Sequence, residues 1–440
     1  FHCFGCGEGG DAFSFVMKTD GLSFTESAEK LAARVGVKVE ADKALGPEEK
    51  ERLRAREALE FAAAYYHELL KKDPAAESAR AYVGKRKVNA AMLAQFSLGF
   101  APRNGGLVAA AKKKGFDENI LMKAGLAAKR ADGSVRDYFF DRVLFPIKDA
   151  KGAVVGFGGR TLGDGEPKYL NSSDNPVFSK GRVLYALNDA LPAVRKSRKA
   201  LLMEGYMDVI AAHQFGFTTA VAPLGTALTP EQAALLKRSC DSVVIVFDAD
   251  NAGLNAAVRG SEVALSAGLN VRLTTVPEGK DPDELLHAKG TEPFAAALEN
   301  AKDPSEFKTD LLLSRAAQPL TPEAKSEIAR SVQQTIALCP DEVLKDEWTR
   351  RLAQRLGVSE GSLTRSAAKA STTRRHAPPV VEQEPASAPR RPAALPPADL
   401  QLLDLLMKAP VCAGELRLDD LDSDAARSIA AAVAKAAPHA

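Results

Sequence analysis

The sequence is poor in cysteine and tryptophan and has almost no excess of either charge. Five Cys in 440 residues, only Cys3 and Cys6 close together, exclude a disulfide-built scaffold and suit a reducing compartment. Lys and Arg total 59 against 57 Asp and Glu, a formal charge of +2. Bulk charge therefore names no partner, and any nucleic-acid surface has to be local. No apolar run approaches the roughly 18–20 residues of a membrane helix, and nothing reads as a signal peptide, so no membrane partner is expected. A GxxxxGK[ST] loop is missing, which argues against an ATP-driven module. Gly156-Phe157-Gly158-Gly159-Arg160 lacks GxGxxG spacing and sits in hairpin context, so it is not read as a dinucleotide loop.

What is present is an ordinary globular balance, 45% hydrophobic and 26% charged, which excludes a chain disordered throughout. At about 150 residues per domain, the length suggests about three domains. The chain opens on Phe1 inside a Cys-bearing motif and is expected to be a fragment whose amino end lies upstream. Residues 1–42 read as a partial zinc-binding domain, Gly-rich and then helical from Ser27 to Val35. A second subdomain, 47–198, starts with an amphipathic helix over Pro47–Lys72. It then turns to short strands, with Asp149-Ala150-Lys151-Gly152 as a hairpin turn between Val143–Phe145 and Val154–Phe157. Helices return over 291–370. Seven prolines between Pro378 and Pro397 make 371–397 a stiff linker that cannot bury a core. Beyond it, 398–440 reads as a truncated helical domain.

The stretch 199–290 alternates strand and helix without a break. Ala200–Met203, Thr218–Val221, Val243–Phe247 and Val271–Val276 are the strand candidates. Helices are expected from Gly205 to His213, after Thr229-Pro230, from Gly253 to Ala267, and from Asp281-Pro282-Asp283-Glu284 onward. The implied fold is α/β, a parallel sheet with covered faces. In such sheets working groups gather beyond the carboxyl ends of the strands, and here those positions are acidic. Glu204 follows the first strand, Asp248 and Asp250 the third, and Asp281 and Asp283 the fourth; Asp208 lies one helical turn after Glu204. Carboxylates gathered this way repel one another unless cations neutralise them, and Mg²⁺ is the usual remedy. A lone Asp at a strand end is as commonly a helix cap or turn former. Three acidic strand ends in one short region favour the metal.

Glu204-Gly205-Tyr206-Met207-Asp208, Asp248-Ala249-Asp250 behind Val243–Phe247, and Gly279-Lys280-Asp281-Pro282-Asp283 resemble the TOPRIM motifs of bacterial DNA primases. The likeness extends to Tyr82–Pro102, Asp141–Ile147, Gly156–Arg160, Lys168–Ser172 and Lys180–Leu187, and to the opening His2-Cys3-Phe4-Gly5-Cys6-Gly7. It implies a cytoplasmic DNA-directed RNA polymerase, expected to be monomeric, that joins ribonucleoside triphosphates into short primers on single-stranded DNA at a replication fork. It also implies Glu204, Asp248 and Asp250 as principal ligands of Mg²⁺ or Mn²⁺, with Asp208, Asp281 and Asp283 shaping further cation sites. Arg86, Arg142, Arg160, Lys168, Lys180 and Arg182 fall in the family-like segments and would hold template and nucleotide phosphates, solvated surface charge being the alternative.

Cys3 and Cys6 have the spacing of a zinc knuckle. Primases carry another Cys/His pair further upstream, so this sequence holds half a Zn²⁺ site. Helicase binding in the family lies past a linker, and Leu400–Leu406 resembles the first helix of such a domain. The TOPRIM pattern also serves topoisomerases and nucleases, and a non-catalytic single-strand-binding scaffold is a further alternative. None of the seven Tyr stands in a recognisable topoisomerase context, no ATPase region accompanies a nuclease, and Glu204, Asp248 and Asp250 are all present.

Overall fold

The amphipathic pattern over 47–72 does produce one continuous helix, Pro47–Lys72, with Glu48 and Glu49 in its first turn and Lys71 and Lys72 in its last, complementing the helix dipole. Its apolar stripe, including Leu59, Ala62 and Tyr66, is fully buried. The computed structural model describes residues 1–2, 9–20, 22, 24–35, 46–163, 165–225, 227–248, 250–276 and 281–363. Cys3, Cys6, the Pro-rich linker and the tail 398–440 lie outside them. Residues 1–367 form one compact unit.

Strands β1 (Gly99–Ala101), β2 (Ala127–Lys129), β3 (Val135–Asp137), β4 (Arg142–Lys148), β5 (Val154–Thr161) and β6 (Tyr169–Asn171) follow the long helix. β2 and β3 make a small hairpin, and the others an antiparallel sheet in the order β1-β4-β5-β6. The predicted turn between β4 and β5 forms. The Asp149 carboxylate accepts from the backbone N–H of Lys151 and Ala153, and Gly152 takes the left-handed φ of 92° that favours glycine.

Strands β7 (Lys199–Met203), β8 (Ala220–Val221), β9 (Ser242–Phe247) and β10 (Asn270–Thr275) form the expected parallel sheet, in the order β10-β9-β7-β8. β8 is shorter than the predicted Thr218–Val221, because the N–H of Ala220 bonds back to Phe217 O and turns the chain before it can extend. From β7 the chain moves outward to β8, then returns to the other side of β7 to lay down β9 and β10. The crevice above β7 and β9 is therefore the topological switch point, where open α/β sheets place ligands.

One apolar layer joins Val143, Phe145, Ile147 and Val155 of the antiparallel sheet to Met203, Met207, Ile210 and Phe294 of the parallel half. The expected boundary at 198/199 marks a change of strand pairing inside a shared core. The opposite face of the parallel sheet is covered by the helices Asn251–Ser266, Pro322–Ala337 and Glu342–Leu356, through residues such as Ala257, Val332 and Trp348. Among the described residues no helix is long and apolar enough to cross a membrane.

Candidate active site

The acidic motif residues all meet at the carboxyl edge of the parallel sheet. Met203 pairs with Val246 across β7 and β9, so Glu204 and Asp248 leave adjacent strands side by side. A Glu204 carboxylate oxygen accepts from the Asp248 backbone N–H at 3.4 Å. The helix Tyr206–Gln214 begins directly after Glu204-Gly205, and its Asp208 accepts from Gly205 N–H at 3.1 Å. Asp250 caps the helix Asn251–Ser266, accepting from Gly253 N–H at 2.7 Å. Asp281 caps the helix Pro282–Lys289, accepting from Glu284 N–H at 2.6 Å. The capping reading of Asp250 and Asp281 is thus correct for one oxygen of each.

Burial and then mutual repulsion shift the protonation of these groups. Burial, then Glu204, Asp281 and Asp250, push Asp248 up to about 6. Glu204 is raised by burial and by Asp250, against the pull of the Asp248 N–H. Asp208 is raised well above the usual range by burial and then by Asp248, Asp281 and Asp283. Burial also raises Asp283, although Arg86 opposes it. The buried Asp248 Oδ1 has no hydrogen-bond partner. An orphaned carboxylate oxygen inside a ring of carboxylates fits a cation. Among the described residues no three His, Cys, Asp or Glu side chains grip one point unaided. Mg²⁺ held here would draw on one or two of these carboxylates and leave its other positions to water and phosphate oxygens.

The basic residues divide. Arg86 turns toward the carboxylates, 2.7 Å from Asp283 and 3.8 Å from Asp281. Burial opposes its charge, but the bond to Asp283 raises its pKa overall. Arg142 departs from the expected phosphate contact: it is only 6% exposed. Its Nη1 donates to the backbone carbonyls of Gly159 and Pro167 at 3.1 and 2.9 Å, and burial lowers its pKa. With its donors aimed inward, it props the loop leading to Lys168. Arg160 lies over the rings of Tyr82 and Tyr169, at 5.5 and 5.7 Å, with a buried Nε that lacks a partner. Lys168 and Arg182 are exposed and Lys180 half-buried. The Lys180–Val183 segment is pinned to the start of the helix Pro230–Lys237, where Gln232 Nε2 donates to Lys180 O and Val183 O.

Three uncharged residues escaped the sequence reading. Tyr206 Oη donates to Asn171 Oδ1 at 2.7 Å, and Asn171 Nδ2 donates to Leu224 O at 2.8 Å, tying the end of β6 to the start of the helix after Glu204. Tyr169, beside them on β6, supplies one of the two rings under Arg160. A Cβ at Gly158 would meet the Tyr206 ring at 2.4 Å, so the glycines of Gly156–Arg160 serve close packing. Only the Tyr-x-Asn alternation, which puts both side chains on one face of a strand, signalled the pair.

A parallel sheet with acidic ends at its switch point defines a Toprim protein, and the Toprim-like family model matches residues 201–286. The model of the DNA primase catalytic core, N-terminal domain, matches 65–191, a CHC2 zinc finger matches 1–46, and the DnaB-helicase binding domain of primase matches 305–361. The last falls on the helices Pro304–Arg315, Pro322–Ala337 and Glu342–Leu356, whereas the sequence reading put helicase binding on 398–440. The DNA primase of Geobacillus stearothermophilus is 36% identical over 93% of this chain and 70% of its own length. That of Halalkalibacterium halodurans is 36% identical over 82% of this chain. A solved structure, the DnaG primase catalytic domain bound to single-stranded DNA, superposes with a TM-score of 0.61 at 35% identity, covering 69% of this chain and 99% of that one. The chain belongs to the bacterial DNA primase family. It spans 61% of the length of the Halalkalibacterium relative and 63% of that from Escherichia coli.

Proposed function

We propose that this chain carries the nucleotide-joining centre of a primase, a DNA-directed RNA polymerase that builds short RNA primers on single-stranded DNA. The observation that carries this reading is the unpartnered Asp248 Oδ1 beside Glu204, at the switch point of the parallel sheet. Glu204, Asp248 and Asp250 would hold Mg²⁺ or Mn²⁺, with Asp208, Asp281 and Asp283 keeping the surrounding field negative. Bound there, the metal ions favour ionisation of the primer 3′-hydroxyl and neutralise charge on the triphosphate. Arg160, lying over the Tyr82 and Tyr169 rings with its Nη1 donating to Thr161 O, would act on phosphate as a fixed positive charge, and Lys168, Lys180 and Arg182 would add mobile ones. Arg86 holds Asp283 and Asp281 in place. Asp248 must be ionised to bind a cation, so its raised pKa makes metal loading favour neutral over acidic pH.

The CHC2 zinc-finger match over residues 1–46 supports Cys3 and Cys6 as two Zn²⁺ ligands, and the match over 305–361 supports the replicative helicase as a partner. Primer synthesis from ribonucleoside triphosphates on single-stranded DNA, with Mg²⁺ or Mn²⁺, tests the reading. Product formation that is lost in Asp248→Ala while template binding persists supports it. Relaxation of supercoiled DNA, strand scission, or binding with no product would replace it with topoisomerase, nuclease or scaffold respectively.

A further inference from the structure

The helix Asn251–Ser266 starts on the residue after Asp250, and its first turn positions both aspartates. Asp250 caps it through Gly253 N–H. The backbone of Asp248 lies so close to Gly253 that an added Cβ would meet Asp248 O at 2.5 Å. A shift of that turn would therefore move both carboxylates. Arg315, the last residue of the helix Pro304–Arg315, reaches across to this turn. Its Nη2 donates to Asn251 Oδ1 at 2.9 Å and its Nη1 to Asn255 Oδ1 at 3.0 Å. Arginine carries only donors, so the two bonds also set the orientation of both amides. The planar fork spans i and i+4 at once, which the single ammonium of lysine cannot do. The far end of the same helix is fastened separately: Lys308 Nζ and Thr335 Oγ1 both bond Glu262, at 2.8 and 2.6 Å.

We infer that Arg315 is a positioning residue, which holds the first turn of the helix Asn251–Ser266 so that Asp248 and Asp250 keep the spacing a divalent cation needs. The inference rests on the metal reading of those aspartates. It also makes the helices matched by the helicase-binding model a mechanical neighbour of the metal centre: a partner that shifts the end of Pro304–Arg315 would alter cation binding without touching template or nucleotide.

The test uses the 440-residue chain and measures three things: Mn²⁺ binding by electron paramagnetic resonance of the free ion, template affinity by anisotropy of a labelled single strand, and primer synthesis. Arg315→Met should weaken Mn²⁺ binding about tenfold, the low end of what supporting residues around a metal cost, and lower kcat, with template Kd and Tm unchanged. Arg315→Lys should recover part of the loss. Asn251→Ala with Asn255→Ala should reproduce it and add nothing to Arg315→Met. Unchanged Mn²⁺ binding with weaker template binding and a shallower salt dependence would make Arg315 a phosphate contact and overturn the inference, as would no change in any measurement. Should Arg315→Met melt early, Asn255→Ala alone, which removes one bond, must still weaken Mn²⁺ binding. A wild type that binds no Mn²⁺, or an Asp248→Asn that binds it equally well, refutes the metal reading itself and this inference with it.

Discussion

The antiparallel and parallel halves share one apolar layer but treat charge differently. At the carboxyl edge of β7–β10, like charges are gathered at the cost of raised carboxylate pKa values. Along β4–β6, each cation is supported singly: Arg142 by the carbonyls of Gly159 and Pro167, Arg160 by two tyrosine rings and the Thr161 carbonyl. Crowded carboxylates favour a counter-cation, whereas separately held cations favour an extended polyanion. Arg86 is the joint between the halves, a cation of the first that serves the anions of the second.

Removing one anion is the most severe way to break that division. Asp248→Ala is expected to lower the rate of primer synthesis about 1000-fold, the scale lost when a group stabilising developing charge is removed. Its template Kd should not weaken, because a carboxylate repels the template rather than holding it; anisotropy and single-turnover assays check the two separately. A cation on the other wall acts on binding. Arg160→Ala should raise KM for nucleotide about 10- to 100-fold, as expected for the loss of charge-assisted hydrogen bonds, with a smaller fall in kcat. Cutting the joint is a stability experiment. Arg86→Met leaves Asp283, whose side chain is 3% exposed, with the longer 3.4 Å contact to His287 in place of its bond to arginine, and should cost about 2 kcal/mol in chemical denaturation. A fully buried pair would cost more; Arg86 is 31% exposed.

A pH titration sharpens the same contrast. Asp248 titrates near 6 when folded, against an ordinary 3.8. Between those values the native state binds more protons than the unfolded chain, so metal-free stability falls as pH rises above about 4, and the raised Glu204, Asp208 and Asp283 add to the fall. Added Mg²⁺ should reverse this, with a stabilisation, read as a shift in Tm, that grows as pH passes 6. The smallest effect expected is the capping share of Asp250: in metal-free protein, Asp250→Asn should cost only a few tenths of a kcal/mol and Asp250→Ala about 1 kcal/mol.

The parallel sheet was legible because its strands are buried on both faces and read as unbroken apolar runs closed by acidic residues. The TOPRIM motifs mark local positions at those ends, so Glu204, Asp208, Asp248, Asp250, Asp281 and Asp283 could be picked out from sequence, and the fold gathers them at one edge of the sheet, with Asp208 and Asp283 buried. The basic wall was not legible to the same degree. Arg142 and Arg160 occupy neighbouring strands and look alike as sequence, yet one is buried against carbonyls of distant residues and the other lies over two tyrosine rings. Nothing local separates them, because the difference comes from residues up to about 80 positions away. Tyr82, Tyr169, Asn171 and Tyr206 carry no charge to draw notice.

Local sequence by itself determined the order of strands and helices, the turn at Asp149–Gly152, the caps and the acidic strand ends, because each depends on backbone preference and on periodicity within one element. Tertiary structure alone decided that β9 returns beside β7 and creates the crevice, that Arg86 spends its charge on Asp283, and that Arg315 reaches the turn behind Asp250. Those are contacts between segments tens to hundreds of residues apart, fixed by which apolar faces must be buried together.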